Sequence, residues 1–126
     1  MGCTTTTAML TIHNMATWMV SSYATVATKT TYGPKLTRGE LLAAYCLTEP
    51  NAGSNAAALA TKAVNTGTEY VLTGNKVFIS GAGETDVLVV MARTGEAGAS
   101  GVSAFVVDAT SEGISFGRKE HKMGWN

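Results

Sequence analysis

The side chains best suited to binding a ligand lie in one stretch, AYCLTEPNAGSN, at residues 44–55. Pro50 fixes its own φ and holds Glu49 extended, while Gly53 permits backbone conformations that other residues avoid, so a bend is specified locally. The polar groups around the bend suit a ligand such as a heterocycle edge or a phosphate. A plain connection between two elements is the alternative interpretation. The side chains that carry these groups are Thr48, Ser54 and Asn55.

A second stretch resembles the first in composition. Tyr45–Thr48 and Val77–Ser80 both end predicted strands, and each contains an aromatic residue and finishes on a hydroxyl. If the two ends are adjacent, an aromatic heterocycle fits across them, with Phe78 beside its ring and hydroxyls at its polar edge. Ordinary barrel strands with exposed hydroxyls are the other interpretation.

Other motifs fail on context. GISFG at 113–117 has the letters of a hydrolase nucleophile elbow, but its serine lies inside a predicted strand and basic residues follow it instead of a helix. Gly81–Gly83 lacks the third glycine and the following helix of a dinucleotide loop. His13 is predicted to be a hydrogen-bonded interior histidine and His121 a surface residue; the two are too far apart in sequence to form a metal site.

The composition indicates one domain with little charged surface. Charged residues are 14% of the 126 residues, against about 25% in a typical soluble domain, and nine basic residues balance nine acidic ones. This balance argues against nucleic acid as a partner. Cys3 and Cys46 are expected to be reduced, buried thiols, and the apolar run at 8–23 is too short and too interrupted for a membrane span. Because no acid precedes Glu40, we expect the first 39 residues to pack against further protein and the chain to be a piece of a larger one.

The periodicity predicts an α+β fragment. Apolar residues at spacings of three and four predict a helix over 5–24, followed by a short helix or loop over 24–38. From residue 41 onward, short β-type runs predict an antiparallel barrel or sandwich that is incomplete at the C-terminus, with a tight hairpin turn at 74–75. We therefore divide the chain into 1–39, the end of a helical domain, and 40–126, a truncated β-barrel domain. The predicted runs are LAAYCLT, ATKAVNT, YVLTGNKVFIS, DVLVVMA, VSAFVVD and ISFG.

YCLTEPNAGSN followed by a strand ending in VFISG resembles the acyl-CoA dehydrogenase family, whose middle β-domain carries a YCxTEPxxGSD loop and a W/F-I-T/S strand end. KVFISGAGETD, GRKEHKMGWN and GCTTTTAMLTIHNM are most similar to the branched-chain members, and the resemblance extends over the whole chain. Asn55 departs from the pattern, since the family usually has Asp there, and this removes a charge from the loop.

The resemblance implies roles for two segments. It places the backbone near Leu47 and the hydroxyl of Thr48 at the pyrimidine edge of FAD, and Ser54 against an acyl-CoA substrate. It places Phe78 along the flavin ring and Ser80 near N5. The implied cofactor-binding residues are Tyr45, Cys46, Leu47, Thr48, Gly53, Ser54, Phe78, Ile79 and Ser80.

The activity implied by the resemblance is FAD-dependent α,β-dehydrogenation of an acyl-CoA thioester, with a short branched acyl chain. The family's catalytic base lies in a C-terminal helical domain, so no residue here is assigned that role; Glu49 is set aside because its position serves the loop. Electron-transferring flavoprotein as a partner, a homotetramer, and a bacterial cytoplasmic or mitochondrial matrix location are implied likewise. The alternatives are an acyl-CoA oxidase, a non-enzymatic flavin-binding domain and a stand-alone β domain for protein interaction.

We expect the isolated 126-residue chain to be catalytically inert, because the resemblance places the base outside it. Enoyl-CoA formation by the purified chain, followed with an artificial electron acceptor, measures this. Clear turnover would contradict the expectation.

Overall fold

The computed structural model describes residues 3–122, which form two helices followed by a five-stranded sheet. The helices precede residue 40 and the strands follow it, while the proposed division into two domains at that point stays a prediction. The elements are α1 (Thr4–Tyr23), α2 (Val26–Thr37), β1 (Ala43–Cys46), β2 (Lys62–Asn65), β3 (Tyr70–Thr73), β4 (Val87–Arg93) and β5 (Val102–Asp108), with short 3-10 turns at Ala56–Ala58 and Ala99–Gly101.

The predicted first helix is confirmed, and the region left open as helix or loop is the helix α2. The hydroxyl of Thr25 caps α2 by accepting a hydrogen bond from the backbone N–H of Thr28 at 3.2 Å. Pro34 lies inside α2, close to its C-terminal end. No helix among residues 3–122 is both long enough and apolar enough to cross a membrane.

The sheet is mixed and open, so the prediction of an antiparallel barrel is not confirmed. β4 lies at its centre, paired with β1 in parallel and with β5 in antiparallel orientation. β2 and β3 form an antiparallel pair that meets β4 in parallel at a single position, Lys62 opposite Arg93. Parallel pairing requires a long connection, and the one between β1 and β4 runs through the loop and the β2–β3 pair. Short strand spacing alone suggested hairpins and missed this crossover.

The predicted hairpin turn at Gly74-Asn75 is wrong. β3 pairs in antiparallel orientation with β2, the strand that precedes it, and residues 76–80 do not form a strand. Gly74 instead allows close approach, because a Cβ there would overlap with the side chain and Cα of Thr61. The segment ISFG, predicted as a strand, is also irregular.

The core lies on both faces of β4. Val87 and Val89 pack with the helices, and Leu88 faces the opposite side with Cys46. This burial agrees with the continuous apolar run in the sequence, as expected for a strand covered on both faces. Burial raises the pKa of the Cys46 thiol to about 11, so the thiol is neutral. The expectation of two buried thiols is wrong for Cys3, which precedes α1 and is exposed.

His13 joins the helices to the sheet. Its ring Nδ1 accepts a hydrogen bond from the backbone N–H of Ala43 at 3.1 Å, and Nε2 donates to the carbonyl of Leu36 at 3.0 Å. The side chain is 7% exposed. The prediction of a hydrogen-bonded interior histidine is confirmed, and His121 is exposed as predicted.

We predict that His13→Leu lowers the free energy of unfolding by about 2 kcal/mol, because it leaves the buried N–H of Ala43 without an acceptor and removes one of the two hydrogen bonds to the carbonyl of Leu36, which keeps the bond from the N–H of Gly39. Urea unfolding at pH 7 measures the change. His121→Leu is the matched control, since the same substitution at an exposed position is expected to change stability by less than about 0.5 kcal/mol. Equal losses in the two variants would contradict the bridging role of His13.

Candidate functional site

The polar stretch after β1 closes into a tight turn. Glu49 and Ala52 exchange two backbone hydrogen bonds, N–H to O in both directions at 3.1 Å, around Pro50 and Asn51. Proline suits the second position of such a turn because its φ is already set. Gly53 has no positive φ and nothing lies within 4 Å of a Cβ built on it, so the prediction that it supplies a special backbone conformation is wrong.

The carboxylate of Glu49 holds this turn in place. It is 6% exposed and accepts hydrogen bonds from the backbone N–H groups of Ala60 and Thr61, at 2.6 and 2.9 Å, and from Lys76 Nζ at 2.7 Å. Desolvation alone would raise the pKa of Glu49, but the hydrogen bonds from Lys76, Thr61 and Ala60 outweigh it and lower the pKa to about 2. Glu49 is therefore ionised, and both of its carboxylate oxygens accept hydrogen bonds that hold the turn against its neighbours.

The two stretches singled out from the sequence lie side by side. The backbone N–H of Val77 donates to the carbonyl of Thr48 at 2.9 Å, and Lys76 Nζ donates to the carbonyl of Leu47 at 3.1 Å. The second stretch thus meets the first as an irregular segment instead of a strand. Within residues 3–122 the hydroxyls of Thr48 and Ser80 make no hydrogen bond, so both can bond to a ligand.

Phe78 projects from the second stretch into the open. It is 80% exposed and has a φ of 56°, the only positive φ of a non-glycine residue in the described part of the chain. Such a conformation is strained and persists where neighbouring contacts determine it. Val77 is bonded to the first stretch, and Ile79 packs against the buried cluster of Ala44 and Leu88. These contacts on either side hold the ring of Phe78 outward.

The remaining predicted site residues differ in where they point. Tyr45 is half-buried and packs against the core, and burial raises its pKa. Cys46 is buried in the core, so only its backbone is available near the loop. Ser54 is exposed beyond the turn, and no hydrogen bond in the described structure joins it to the second stretch.

Two cationic residues that hold this region together were not predicted from the sequence. One is Lys76, described above. The other is Arg93 at the end of β4, whose guanidinium donates to the backbone carbonyls of four residues at 2.7 to 3.1 Å. Arg93 thereby ties the 3-10 turn that follows the loop to the glycine-rich segment before β5. A cation beside an apolar strand, in a chain with only 14% charged residues, was the available signal. The four residues are Ala57, Leu59, Glu96 and Gly98.

Two cavities lie in different parts of the fold. One, of about 260 Å³, lies beside the Glu49–Ala52 turn, between it and the start of β2. The other, of about 280 Å³, is apolar and lies between the end of α1 and the strands β4 and β5, away from the two stretches. Among residues 3–122, no group of three or more histidine, cysteine or acidic side chains could hold a metal ion.

Comparison with known proteins matches this region to one family. The model of the acyl-CoA dehydrogenase middle domain matches residues 44–126. The chain is 49% identical over 125 residues to the mitochondrial isobutyryl-CoA dehydrogenase of Bos taurus, a match that covers 99% of this chain and 30% of that protein.

Solved structures give the same result. A probable acyl-CoA dehydrogenase from Mycobacterium abscessus superimposes with a TM-score of 0.90 at 37% identity, covering 98% of this chain and 33% of the other. The FAD complex of PigA superimposes with a TM-score of 0.86 at 31% identity, covering 90% and 30%. The chain thus spans about a third of the length of these proteins.

We predict that Glu49 makes stability depend on pH. Its pKa is about 2 in the folded chain against an ordinary 4.5, so its charge stabilises the fold above pH 4.5, and this contribution is lost as the pH falls from 4.5 to 2. The shift corresponds to about 3 kcal/mol. Glu49→Gln should therefore be less stable than the parent by about that amount at pH 7, with the difference narrowing towards pH 2. Urea unfolding across this pH range measures both effects.

Glu84→Gln is the matched control. Glu84 also pairs with a lysine, Lys119, at 2.6 Å, but the two side chains are 62% and 78% exposed. Solvent screens such a pair, so the control should be close to the parent at every pH. A difference for Glu49→Gln that stays constant with pH would contradict the role of its charge.

Proposed function

Because this chain belongs to the acyl-CoA dehydrogenase family, we propose that its two adjoining stretches, 45–54 and 78–80, form part of the FAD site of an enzyme that dehydrogenates an acyl-CoA thioester. The resemblance seen in YCLTEPNAGSN and VFISG is confirmed at the level of the family. Acyl-CoA dehydrogenases are FAD-dependent oxidoreductases that act on the CH–CH bond of acyl-CoA, which supports the expected enzyme class and cofactor for the complete protein that contains this chain.

The observation that supports the proposal is the adjacency of the two stretches, with an exposed aromatic and two unbonded hydroxyls. An isoalloxazine ring has flat apolar faces and a hydrogen-bonding edge, which are the features that such a surface complements. FAD bound in this arrangement would have Phe78 along its ring, the hydroxyl of Thr48 and the backbone near Leu47 at its pyrimidine edge, and Ser80 near N5.

The residues of this chain hold and orient the cofactor. Bound FAD would supply the acceptor for the hydride that leaves the β-carbon of the substrate. The turn at Glu49–Ala52 fixes where Thr48 stands, and the contacts of Val77 and Ile79 fix where Phe78 stands. Tyr45, Cys46 and Gly53 contribute through the backbone of the first stretch, and Ser54 contacts the acyl-CoA.

The finer assignments belong to the same proposal. The bovine relative is a mitochondrial isobutyryl-CoA dehydrogenase, which favours a short branched acyl chain and a place in the mitochondrial matrix or, in a bacterium, the cytoplasm. The base that removes the α-proton is assigned to no residue here. Transfer of electrons to an electron-transferring flavoprotein and assembly as a homotetramer complete the proposal.

The function is tested with the complete protein that contains this chain. Isobutyryl-CoA added without oxygen should bleach the flavin absorbance and yield the enoyl-CoA. Rapid reoxidation by oxygen with formation of hydrogen peroxide would indicate an oxidase instead. A colourless protein that takes up no FAD on reconstitution would overturn the proposal in favour of a protein-interaction domain.

We predict that Thr48→Val in the complete protein weakens FAD binding about fivefold to tenfold, because it removes one hydrogen bond to the pyrimidine edge while keeping the shape of the side chain. Flavin fluorescence during titration of the apoprotein measures the dissociation constant. Thr68→Val is the control, since Thr68 is exposed in the turn between β2 and β3. Equal affinity in the Thr48→Val variant and the parent would remove Thr48 from the site.

A further inference from the structure

The side chain of Lys76 connects the two stretches of the proposed site. It reaches back from the start of the second stretch and donates to the carbonyl of Leu47 at 3.1 Å and to Glu49 Oε1 at 2.7 Å. The Lys76 and Glu49 side chains are 12% and 6% exposed, so the pair is largely shielded from water. Two other ion pairs, Arg38–Glu40 and Lys119–Glu84, lie on the surface.

We propose that Lys76 is a positioning residue for FAD: its ammonium group, held by Glu49, sets the orientation of Phe78 relative to Thr48. The inference rests on the proposed function and extends it to a residue that touches neither ring nor substrate. Three contacts carry it, since Lys76 Nζ binds Leu47 and Glu49, and the next residue, Val77, bonds Thr48 through its backbone. Phe78 follows directly on this three-point attachment.

The strain at Phe78 makes the attachment necessary. A positive φ at a residue with a large side chain is maintained only where the surrounding contacts determine it. Ile79 is fixed because it packs against the core, and the hydrogen bonds of Lys76 and Val77 fix the residues before Phe78. Without Lys76, the Val77 bond alone restrains the segment on that side, and Phe78 is free to relax towards negative φ.

The buried ion pair fixes a geometry as well as contributing to stability. Replacing both partners of such a pair by well-packed apolar groups is often neutral for stability, whereas removing one partner alone is destabilising. The directional donors of the pair fix one geometry. Glu49 keeps two backbone donors, from Ala60 and Thr61, when the lysine is removed, so the turn itself persists while the second stretch is released.

The first readout uses the complete protein with FAD removed. In Lys76→Met, hydrogen exchange at the amide of Val77 should rise at least about tenfold more than exchange at the amides that pair β4 with β5, which report the global loss of stability. Lys119→Met is the matched control, because it breaks an exposed lysine–glutamate pair of similar length, at 2.6 Å. Lys76→Arg keeps a cationic donor and should restore most of the protection.

The second readout is FAD affinity in a double-mutant cycle. If Lys76 acts through the placement of Phe78, Lys76→Met and Phe78→Ala each weaken FAD binding, and the double variant is no weaker than the worse single one. Effects that multiply in the double variant would overturn the proposal. An equal rise in exchange at Val77 and at the amides that pair β4 with β5 would overturn it too, because it indicates a merely structural role. If the parent protein binds no FAD, the proposed function is refuted, and the role of Lys76 towards the cofactor is overturned with it. Faster exchange at Val77 in Lys76→Met would then support only the attachment of the second stretch.

Discussion

The fold around the candidate site depends on burying one negative charge. Glu49 lies at 6% exposure, and a carboxylate can remain ionised there only if donors replace the water that it has lost. Ala60, Thr61 and Lys76 supply those donors, and they come from the segment that leads into β2 and from the one that follows β3. Solvating this one group therefore brings together three segments that the sequence separates.

The same device recurs elsewhere in the chain. His13 joins the end of α2 to the start of β1, and Arg93 binds backbone carbonyls from the segment before β2 and from the segment before β5. Each uses a single polar side chain to satisfy backbone groups that no ladder reaches. These side chains and that of Glu49 are buried or partly buried at the junctions between elements, and their hydrogen bonds fix the irregular segments there.

Local patterns predicted the parts of the fold that depend on local forces. The helical period gave α1, and continuous apolar runs gave β4 and β5. Burial on both faces accounts for the run in β4, whereas no residue of β5 is fully buried. The pairing of β1 with β4 was not predictable, since parallel register depends on groups more than forty residues apart. The prediction of a hairpin at Gly74 was wrong because the sequence does not distinguish a glycine required for close contact, here with Thr61, from one required for a turn.

For the site, too, the sequence predicted what depends on local pattern and missed what depends on tertiary contacts. The motif located both stretches, but nothing in VFIS signals a positive φ at Phe78, because that conformation arises from contacts made on either side of it. The alternation along this segment shows why: Ile79 is drawn into the core, and Val77 is bonded to Thr48, so the ring between them is turned outward.

The outward turn of Phe78 links folding to binding. Exposing an aromatic side chain at 80% and straining its backbone both work against the fold. A flat ligand that covers the ring recovers the apolar contact and binds only the folded arrangement, so it stabilises that arrangement in proportion to its occupancy. The strain is then preorganisation: the contacts of Glu49, Lys76 and Ile79 hold the ring where a ligand needs it, and binding need not supply the free energy to move it there.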